Sequence, residues 1–403
     1  MQADWIINNV NLATMQEGYG NIDAGLLAVQ ADRIVWFGPQ REAPAFAGAA
    51  VIDGHGGWLT PGLIDCHTHL IYGGNRALEF EQRLQGKSYS EIALAGGGIN
   101  STVTATRQAS DQTLQASALH RLQQLQREGV TTVEIKSGYG LDLENELRLL
   151  AIAKSLAQQL PITLRTTYLG AHAVPPDYKS RSDDYIDFIC RDVLPQVAEQ
   201  QLADAVDVFC EGVGFTLDQC RQVFTAATDL GLRIKGHVEQ LSYQGGARLV
   251  AEFNGLSVDH LEYLPPDDIP LLKAHNVVAV LLPAAFYYLR ETQRPPIAAM
   301  REAGLAMAVA SDCNPGSAPM ASLLLAMNQA CLLFGLTPAE ALAGTTRHAA
   351  QALGLQHCKG QLAVGYDADL LLWDIQHPAE LSYSINMHRP QHIWVGGRDV
   401  HSA

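Results

Sequence analysis

The pattern of hydrophobic and polar positions changes twice along this chain. Residues 1–57 hold short apolar runs separated by Gly, Asn and Asp, which is typical of β-strands joined by turns. The residues from 359 onward have the same texture. Neither end alone has enough strands to enclose a core, so we expect 1–57 and 359–403 to combine into one small β-sandwich domain.

Residues 58–358 have a different pattern, in which apolar runs of strand length alternate with amphipathic stretches of helix length. This alternation predicts an α/β fold with βα units around a parallel sheet. Helical stretches include 114–128, 144–159, 218–230, 319–334 and 338–353. The apolar runs are 62–66, 130–136, 162–169, 205–210, 233–237, 256–260, 277–282 and 305–311. These eight units predict a (β/α)₈ barrel of the TIM type, whose chemistry lies at the carboxyl ends of the strands.

Titratable side chains follow seven of these eight runs, which the barrel hypothesis would bring to one mouth. Histidine is scarce, with 14 residues in 403, yet five histidines lie at these strand ends. In chain order, the side chains at the strand ends are His67, His69, Lys136, Tyr139, His172, Glu211, His237, His260 and Asp312. The sequence therefore predicts a histidine-rich site at the barrel mouth.

His67 and His69 are the first candidates for a metal site. Alternation along an extended chain points both side chains the same way, although a surface pair explains an isolated His-x-His equally well. With His237 and Asp312 they make a set of three nitrogens and one oxygen, which suits zinc or ferrous iron and leaves a position for water. Such an ion lowers the pKa of bound water toward neutrality.

A second ion is not favoured by the pattern. Lys136 and Glu211 are the residue types that bridge two metals, but Lys136 follows the second run and Glu211 is a single carboxylate. We therefore predict structural or electrostatic roles for both. His260 is placed to act as a base or to polarise a substrate carbonyl.

Charge and cysteine content exclude several classes of function. The formal charge of −15 argues against nucleic acid or an anionic membrane as a partner. Seven cysteines without a CxxC pair do not resemble a disulfide framework, and we interpret Cys66 and Cys313 as core packing. The chain does not begin with a basic segment followed by an apolar one, as a secretory leader does, so we expect a cytoplasmic protein.

Particular segments resemble a known family. The run Pro-Gly-Leu-Ile-Asp-Cys-His-Thr-His at 61–69, with the later strand-end histidines and Asp312, resembles the amidohydrolase superfamily of metal-dependent hydrolases. Further segments beginning at Gly73, Gly96, Ile135, Leu169 and Ser311 are similar to the imidazolonepropionase family. The resemblance implies hydrolysis of the cyclic amide of 4-imidazolone-5-propanoate to N-formimidoyl-L-glutamate in histidine degradation. It also implies one zinc or iron ion, and it suggests a homodimer.

The same resemblance implies roles for individual residues. His67, His69, His237 and Asp312 match the metal ligands. Arg76, Tyr139, His172, Asn314, Gly316 and Ser317 match positions that contact the substrate. Some members of the family have an acid where this chain has Gln240, next to Glu239. Gln240 can bind the imidazolone but cannot act as a base, so His260 and Asp312 are left as the catalytic residues.

Two other functions fit part of the pattern. A deaminase of a purine or pyrimidine base would use the same barrel, but a free base has no carboxylate for Arg76 to bind. A scaffold protein without activity would be expected to lack metal ligands, and none of the four is missing.

Overall fold

The computed structural model describes residues 1–87, 91 and 97–400, and its framework is two eight-stranded sheets. Gly96, which begins one of the family-like segments, lies outside the described residues. No helix in the described ranges is long and apolar enough to cross a membrane.

One sheet is a parallel barrel. Its strands follow each other in chain order around the barrel, and each pairs with the next. They are β6 (Leu63–Asp65), β7 (Val130–Lys136), β8 (Thr163–Ala171), β9 (Ala205–Cys210), β10 (Arg233–Val238), β11 (Ser257–His260), β12 (Val278–Leu281) and β13 (Met307–Val309). Each strand lies on one of the eight apolar runs, so the predicted barrel is confirmed.

Backbone contacts just beyond the strands join the first and last strands of the barrel. Thr68 pairs with Cys313 in a parallel bridge, and the amide of His69 donates to the carbonyl of Cys313 at 3.0 Å. The amide of Asp312 donates to the carbonyl of His67, also at 3.0 Å. The same contacts therefore close the barrel and place Asp312 beside the two histidines.

Strands from both chain ends form the second sheet, as the sequence predicted. Its order is β16-β15-β14-β5-β1-β2-β3, with β4 paired to β1. The strands are β1 (Trp5–Ala13), β2 (Asn21–Gln30), β3 (Arg33–Pro39), β4 (Ala50–Asp53), β5 (Trp58–Pro61), β14 (Leu370–Trp373), β15 (His392–Val395) and β16 (Arg398–Asp399). The division into domains at 57/58 and 358/359 stays a prediction.

Helices cover the outside of the barrel, and several begin at capping residues that the sequence shows. The hydroxyl of Thr216 accepts a hydrogen bond from the amide of Gln219, and the side chain of Gln219 accepts one from the amide of Thr216. The α-helices are Ala77–Leu84, Ile99–Gln108, Asp111–Arg127, Leu143–Leu156, Ser182–Phe188, Leu194–Glu199, Leu217–Asp229, Gly246–Glu252, Ile269–Ala274, Pro283–Leu289, Ile297–Ala303, Leu323–Gln329, Pro338–Gly344, Arg347–Ala352 and Glu380–Tyr383.

The stretch predicted as helical at 338–353 is two helices. The first ends at Gly344, and the carbonyl of Thr345 accepts the amide of Ile64 in β6 at 2.8 Å. The hydroxyl of Thr346 bonds back to the carbonyl of Leu342 at 2.6 Å. The helix is interrupted because the carbonyl of Thr345 accepts a hydrogen bond from the barrel's first strand. Apolar periodicity does not reveal such a bond.

The cysteines pack as predicted. All seven are free thiols, and Cys66 and Cys313 are buried in the barrel core. Burial raises the pKa of the Cys66 thiol well above its usual value and that of Cys313 to about 12. Neither is therefore a reactive thiolate.

Candidate active site

Three histidines from two strand ends meet at the barrel mouth. The Nε2 atoms of His67 and His69 are 3.3 Å apart, and those of His69 and His237 are 3.4 Å apart. All three side chains are buried. They form a group whose nitrogens could hold one metal ion. The sequence predicted this grouping from residues 168 positions apart.

Asp312 completes the set from the last strand. Its Oδ1 lies 3.4 Å from His67 Nε2 and 3.5 Å from His69 Nε2. The backbone of Asp312 is left-handed, with φ 51°, which turns the chain sharply after β13. Burial raises the pKa of the carboxyl group to about 7, and a cation bound beside it would favour the carboxylate.

Two further carboxylates hold the far sides of the histidine rings. Asp259 Oδ2 lies 2.6 Å from His67 Nδ1. Asp207 Oδ2 lies 3.0 Å from His237 Nδ1, but the N–H of the His237 ring is poorly aligned for a hydrogen bond. A carboxylate at Nδ1 leaves Nε2 as the free lone pair, which is the usual support for a metal-binding histidine.

The donor set fits a transition-metal ion. Three imidazole nitrogens and a carboxylate oxygen face one another without another polar partner between them, and Nδ1 of two rings lies against a carboxylate. Burial holds the pKa values of His67 and His69 well below the ordinary histidine range, so the rings are neutral and can act as ligands.

The histidines open onto a cavity of about 250 Å³. It gathers most of the site residues predicted from the sequence: His69, Arg76, Tyr139, His172, His237, Gln240, His260, Asp312, Asn314, Gly316 and Ser317. His67 lies beneath the cavity, against Asp259. The described residues thus place the candidate ligands and the candidate substrate contacts around one space.

Arg76 provides a cation at one wall of the cavity. Its Nε donates to the Thr102 hydroxyl at 2.9 Å, which leaves the two terminal nitrogens for another partner. Gly316 lies directly against the guanidinium, because a Cβ atom there would be only 2.7 Å from Arg76 Nη1. The absence of a side chain at Gly316 therefore gives Arg76 its position.

Tyr139 and His172 provide flat rings. Their centroids are 5.4 Å apart, and His172 stacks on His69 at 5.6 Å and 20°. His172 Nδ1 is 2.9 Å from the carbonyl of Gly138, so it carries the proton, and burial lowers the pKa of the ring to about 4. Burial also raises the pKa of the Tyr139 phenol. Both rings are neutral surfaces for a planar ligand.

His260 faces the cavity from the end of β11. The backbone is left-handed at His260 (φ 86°) and again at Leu261 (φ 77°), which is costly for residues with side chains. Burial holds the pKa of His260 well below its ordinary value, and its Nδ1 has no hydrogen-bond partner among the described residues. The left-handed backbone at the end of β11 thus presents a neutral imidazole to the cavity.

The neighbours Glu239 and Gln240 point to different places. The Glu239 carboxylate accepts the amides of Gly246 and Ala247 at 2.9 and 3.0 Å, at the start of the next helix. Gln240 lines the cavity. Glu239 therefore caps a helix and Gln240 faces the ligand space.

The Glu211 carboxylate organises the loop that carries Gln240. It accepts the amides of Gln240 and Leu241 at 2.6 and 3.0 Å, together with the Ser242 hydroxyl. Lys136 likewise lies in a buried ion-pair network. Both residues have structural partners among the described residues, and a single metal ion stays a prediction.

The residues at 314–317 form a self-bonded turn. Asn314 Oδ1 accepts the amides of Gly316 and Ser317, each at 2.8 Å, and its Nδ2 donates to the carbonyl of Asp312 at 2.7 Å. The Asn314 side chain thus shapes the cavity wall that bears Gly316 and Ser317.

The sequence reasoning missed other residues around the cavity and behind it. Glu79, Arg83, Gly98, Ile99, Phe209 and Leu289 line the cavity. Glu79, Gly98 and Ile99 lie in the family-like segments that begin at Gly73 and Gly96, and nothing in the local pattern distinguishes the other three from surface or core positions. Asp207 and Asp259 had a signal, because a carboxylate within a strand predicted to belong to the barrel needs a buried partner.

Known proteins resemble this chain over nearly its whole length. A family model described as Amidohydrolase family matches residues 58–400. An imidazolonepropionase from Colwellia psychrerythraea is 56% identical, over 97% of this chain and 96% of its own length. One from Pseudoalteromonas atlantica is 55% identical, over 98% and 99%.

Solved structures share the fold at much lower identity. An adenosine deaminase from Xanthomonas campestris with bound Zn has a TM-score of 0.72 at 18% identity, covering 99% of this chain and 93% of that one. A 5-methylcytosine deaminase from Klebsiella pneumoniae has a TM-score of 0.71 at 18% identity, covering 98% and 97%. At this identity the likeness shows the fold alone.

The barrel and its histidine-rich mouth are those of an amidohydrolase, and the chain belongs to that family. Within it, the relatives that match more than half of the residues over nearly the full length place the chain among the imidazolonepropionases.

Proposed function

We propose that this chain hydrolyses 4-imidazolone-5-propanoate to N-formimidoyl-L-glutamate. One observation supports the proposal: a guanidinium, two flat neutral rings and a set of histidines that could hold a metal ion lie around the same cavity. The substrate has the matching parts, namely a carboxylate arm, a planar ring and a ring carbonyl.

The guanidinium of Arg76 binds the propanoate arm. A carboxylate accepts two parallel hydrogen bonds from a guanidinium, and the bond from Arg76 Nε to Thr102 directs the two terminal nitrogens at such a partner. Arg83 adds a second positive charge to the cavity wall. These cations supply the local attraction for an anion in an acidic protein.

The imidazolone ring packs against Tyr139 and His172. Burial keeps both side chains neutral at ordinary pH, so neither places a charge against the imidazolone ring. Gln240 lies at the same wall and offers an amide that can both donate and accept hydrogen bonds. This arrangement turns the ring carbonyl toward the histidines.

His67, His69, His237 and Asp312 would hold one divalent ion. An ion at these ligands lowers the pKa of water and polarises a carbonyl oxygen. We propose zinc or iron for this position.

The remaining residues move protons. Asp312, beside the nitrogens of His67 and His69, accepts the proton of the attacking water and passes it to the ring nitrogen when the C–N bond breaks. The former carbonyl carbon becomes the new carboxylate. His260 donates a hydrogen bond to the carbonyl oxygen as negative charge develops on it.

Deamination of a nucleobase is the less favoured function. The deaminase structures share this fold at 18% identity, whereas relatives above 50% identity bear the name imidazolonepropionase. A free base also has no group for Arg76. A cytoplasmic location and a homodimer remain predictions from the sequence.

The test is turnover of the substrate by the purified protein. We expect loss of the imidazolone absorbance and a product with the mass of N-formimidoyl-L-glutamate. Adenine and cytosine, supplied in parallel, should release no ammonia. Ammonia release from a base without turnover of the imidazolone would support the deaminase function instead.

A further inference from the structure

A buried ion-pair network lies directly beneath the histidines, and Lys136 is at its centre. Lys136 Nζ is 2.7 Å from Asp207 Oδ2, 3.0 Å from Glu134 Oε2 and 3.6 Å from Asp259 Oδ2. All four side chains are fully buried. Lys136 donates a hydrogen bond to Asp207, and its contacts with Glu134 and Asp259 are ion pairs.

Two of these carboxylates also support candidate metal ligands, and they do so with the oxygen that faces Lys136. Asp207 Oδ2 contacts both Lys136 Nζ and His237 Nδ1, at 2.7 and 3.0 Å. Asp259 Oδ2 contacts both Lys136 Nζ and His67 Nδ1, at 3.6 and 2.6 Å. One ammonium thus lies behind two histidines that come from opposite parts of the barrel.

We infer that Lys136 is a positioning residue for the metal site. It holds Asp207 and Asp259 in place, and these fix the rings of His237 and His67 with Nε2 toward the ion. Lys136 is not among the residues that line the cavity, so it acts through the histidines and not on the substrate. This inference rests on the metal-dependent function proposed above.

The network treats the three histidines unequally. Nδ1 of His69 is buried and has no hydrogen-bond partner in the described residues. Nδ1 of His67 lies 2.6 Å from Asp259, and Nδ1 of His237 lies 3.0 Å from Asp207 at a poor hydrogen-bond angle. Loss of Lys136 should therefore disturb two ligands together and leave His69 in its backbone-held position beside Cys313.

The experiment measures zinc affinity of the folded chain by competition with a chromophoric chelator. Lys136→Met should raise the zinc Kd about 10- to 100-fold, the usual effect of losing support behind a metal ligand. Lys136→Arg, which keeps the charge, should recover part of the affinity. Circular dichroism and the melting temperature of the metal-free proteins report whether the fold is intact.

Lys359→Met is the matched control. Lys359 is also buried and bonds two carboxylates, Asp367 at 2.9 Å and Asp369 at 2.5 Å, but within the described residues neither carboxylate contacts a candidate metal ligand. It should lower stability without changing the zinc Kd. A zinc Kd that is unchanged in Lys136→Met, or raised equally in Lys359→Met, overturns the inference.

A further variant covers the case in which Lys136→Met does not fold. Asp207→Asn keeps Lys136 paired with Glu134 and removes the charge behind His237, so it should raise the zinc Kd about tenfold or more. An unchanged Kd would refute the link from Lys136 to the ligands. Zinc binding is measured without substrate, so the result stands apart from the turnover test of the proposed function.

Discussion

Replacing Gly316 with alanine tests whether this backbone position sets the position of Arg76, the arginine that we propose binds the substrate. The new Cβ would lie 2.7 Å from Arg76 Nη1 and 3.2 Å from Cζ. Ordinary contact requires the guanidinium to retreat by about 0.7 Å or more. Because Thr102 holds Nε, the terminal nitrogens must swing away from the cavity, and the carboxylate should lose at least one of its two hydrogen bonds.

The size of the effect follows from the value of one such bond. A hydrogen bond to a charged group contributes about 1.5–3 kcal/mol, which corresponds to a fall of about 10- to 150-fold in kcat/KM. We expect most of it as a higher KM for imidazolone propanoate, since the arm is remote from the reacting carbonyl. Gly212→Ala is the control, because the nearest atom to a Cβ there is Gln244 Nε2 at 3.8 Å.

A double-mutant cycle with Arg76→Ala decides the mechanism. Arg76→Ala alone should raise KM at least as much as Gly316→Ala. If Gly316 acts through Arg76, adding Gly316→Ala to Arg76→Ala should change kcat/KM by less than about threefold. Full additivity of the two effects would refute the reasoning.

Other variants test the remaining parts of the site. Asp312→Asn should lower kcat by about 10²- to 10⁴-fold with an unchanged circular dichroism spectrum, and near-normal turnover would remove Asp312 from proton transfer. Glu262 is buried with Oε2 unpartnered among the described residues, and burial raises its pKa from 4.5 to about 8. The folded state therefore holds a proton that unfolding releases, so stability falls as pH rises from 4.5 to 8, by at most about 1.4 kcal/mol per pH unit. Glu262→Gln should melt at a higher temperature than the parent chain at pH 8 and at nearly the same temperature at pH 5. Equal shifts of the melting temperature at both pH values would contradict this account.

The barrel was predictable because each strand is a short apolar run, and seven of the eight runs are followed by a titratable residue. Parallel strands in a barrel have their carboxyl ends on one face, so the count of runs was enough to bring His67, His237 and Asp312 together. The same reasoning joined the two chain ends, since neither could enclose a core alone. These are consequences of periodicity, which the sequence displays directly.

What escaped prediction depends on partners distant in sequence. Asp207 and Asp259 meet Lys136 and the histidines only once the barrel is closed, and the sequence shows them merely as charges in apolar strands. The helix break at Thr345 arises from a hydrogen bond to β6. Arg83 lines the cavity because of the direction in which its helix runs. Such contacts are set by packing, which no local pattern reports.

The most direct test of the metal-dependent mechanism is a titration of metal-free protein with zinc or ferrous iron while turnover of imidazolone propanoate is recorded. Turnover should be absent without metal and should rise to a plateau at one ion per chain, as expected from one set of three histidines and Asp312. Full activity in the metal-free protein, or a plateau at two ions per chain, would contradict the account.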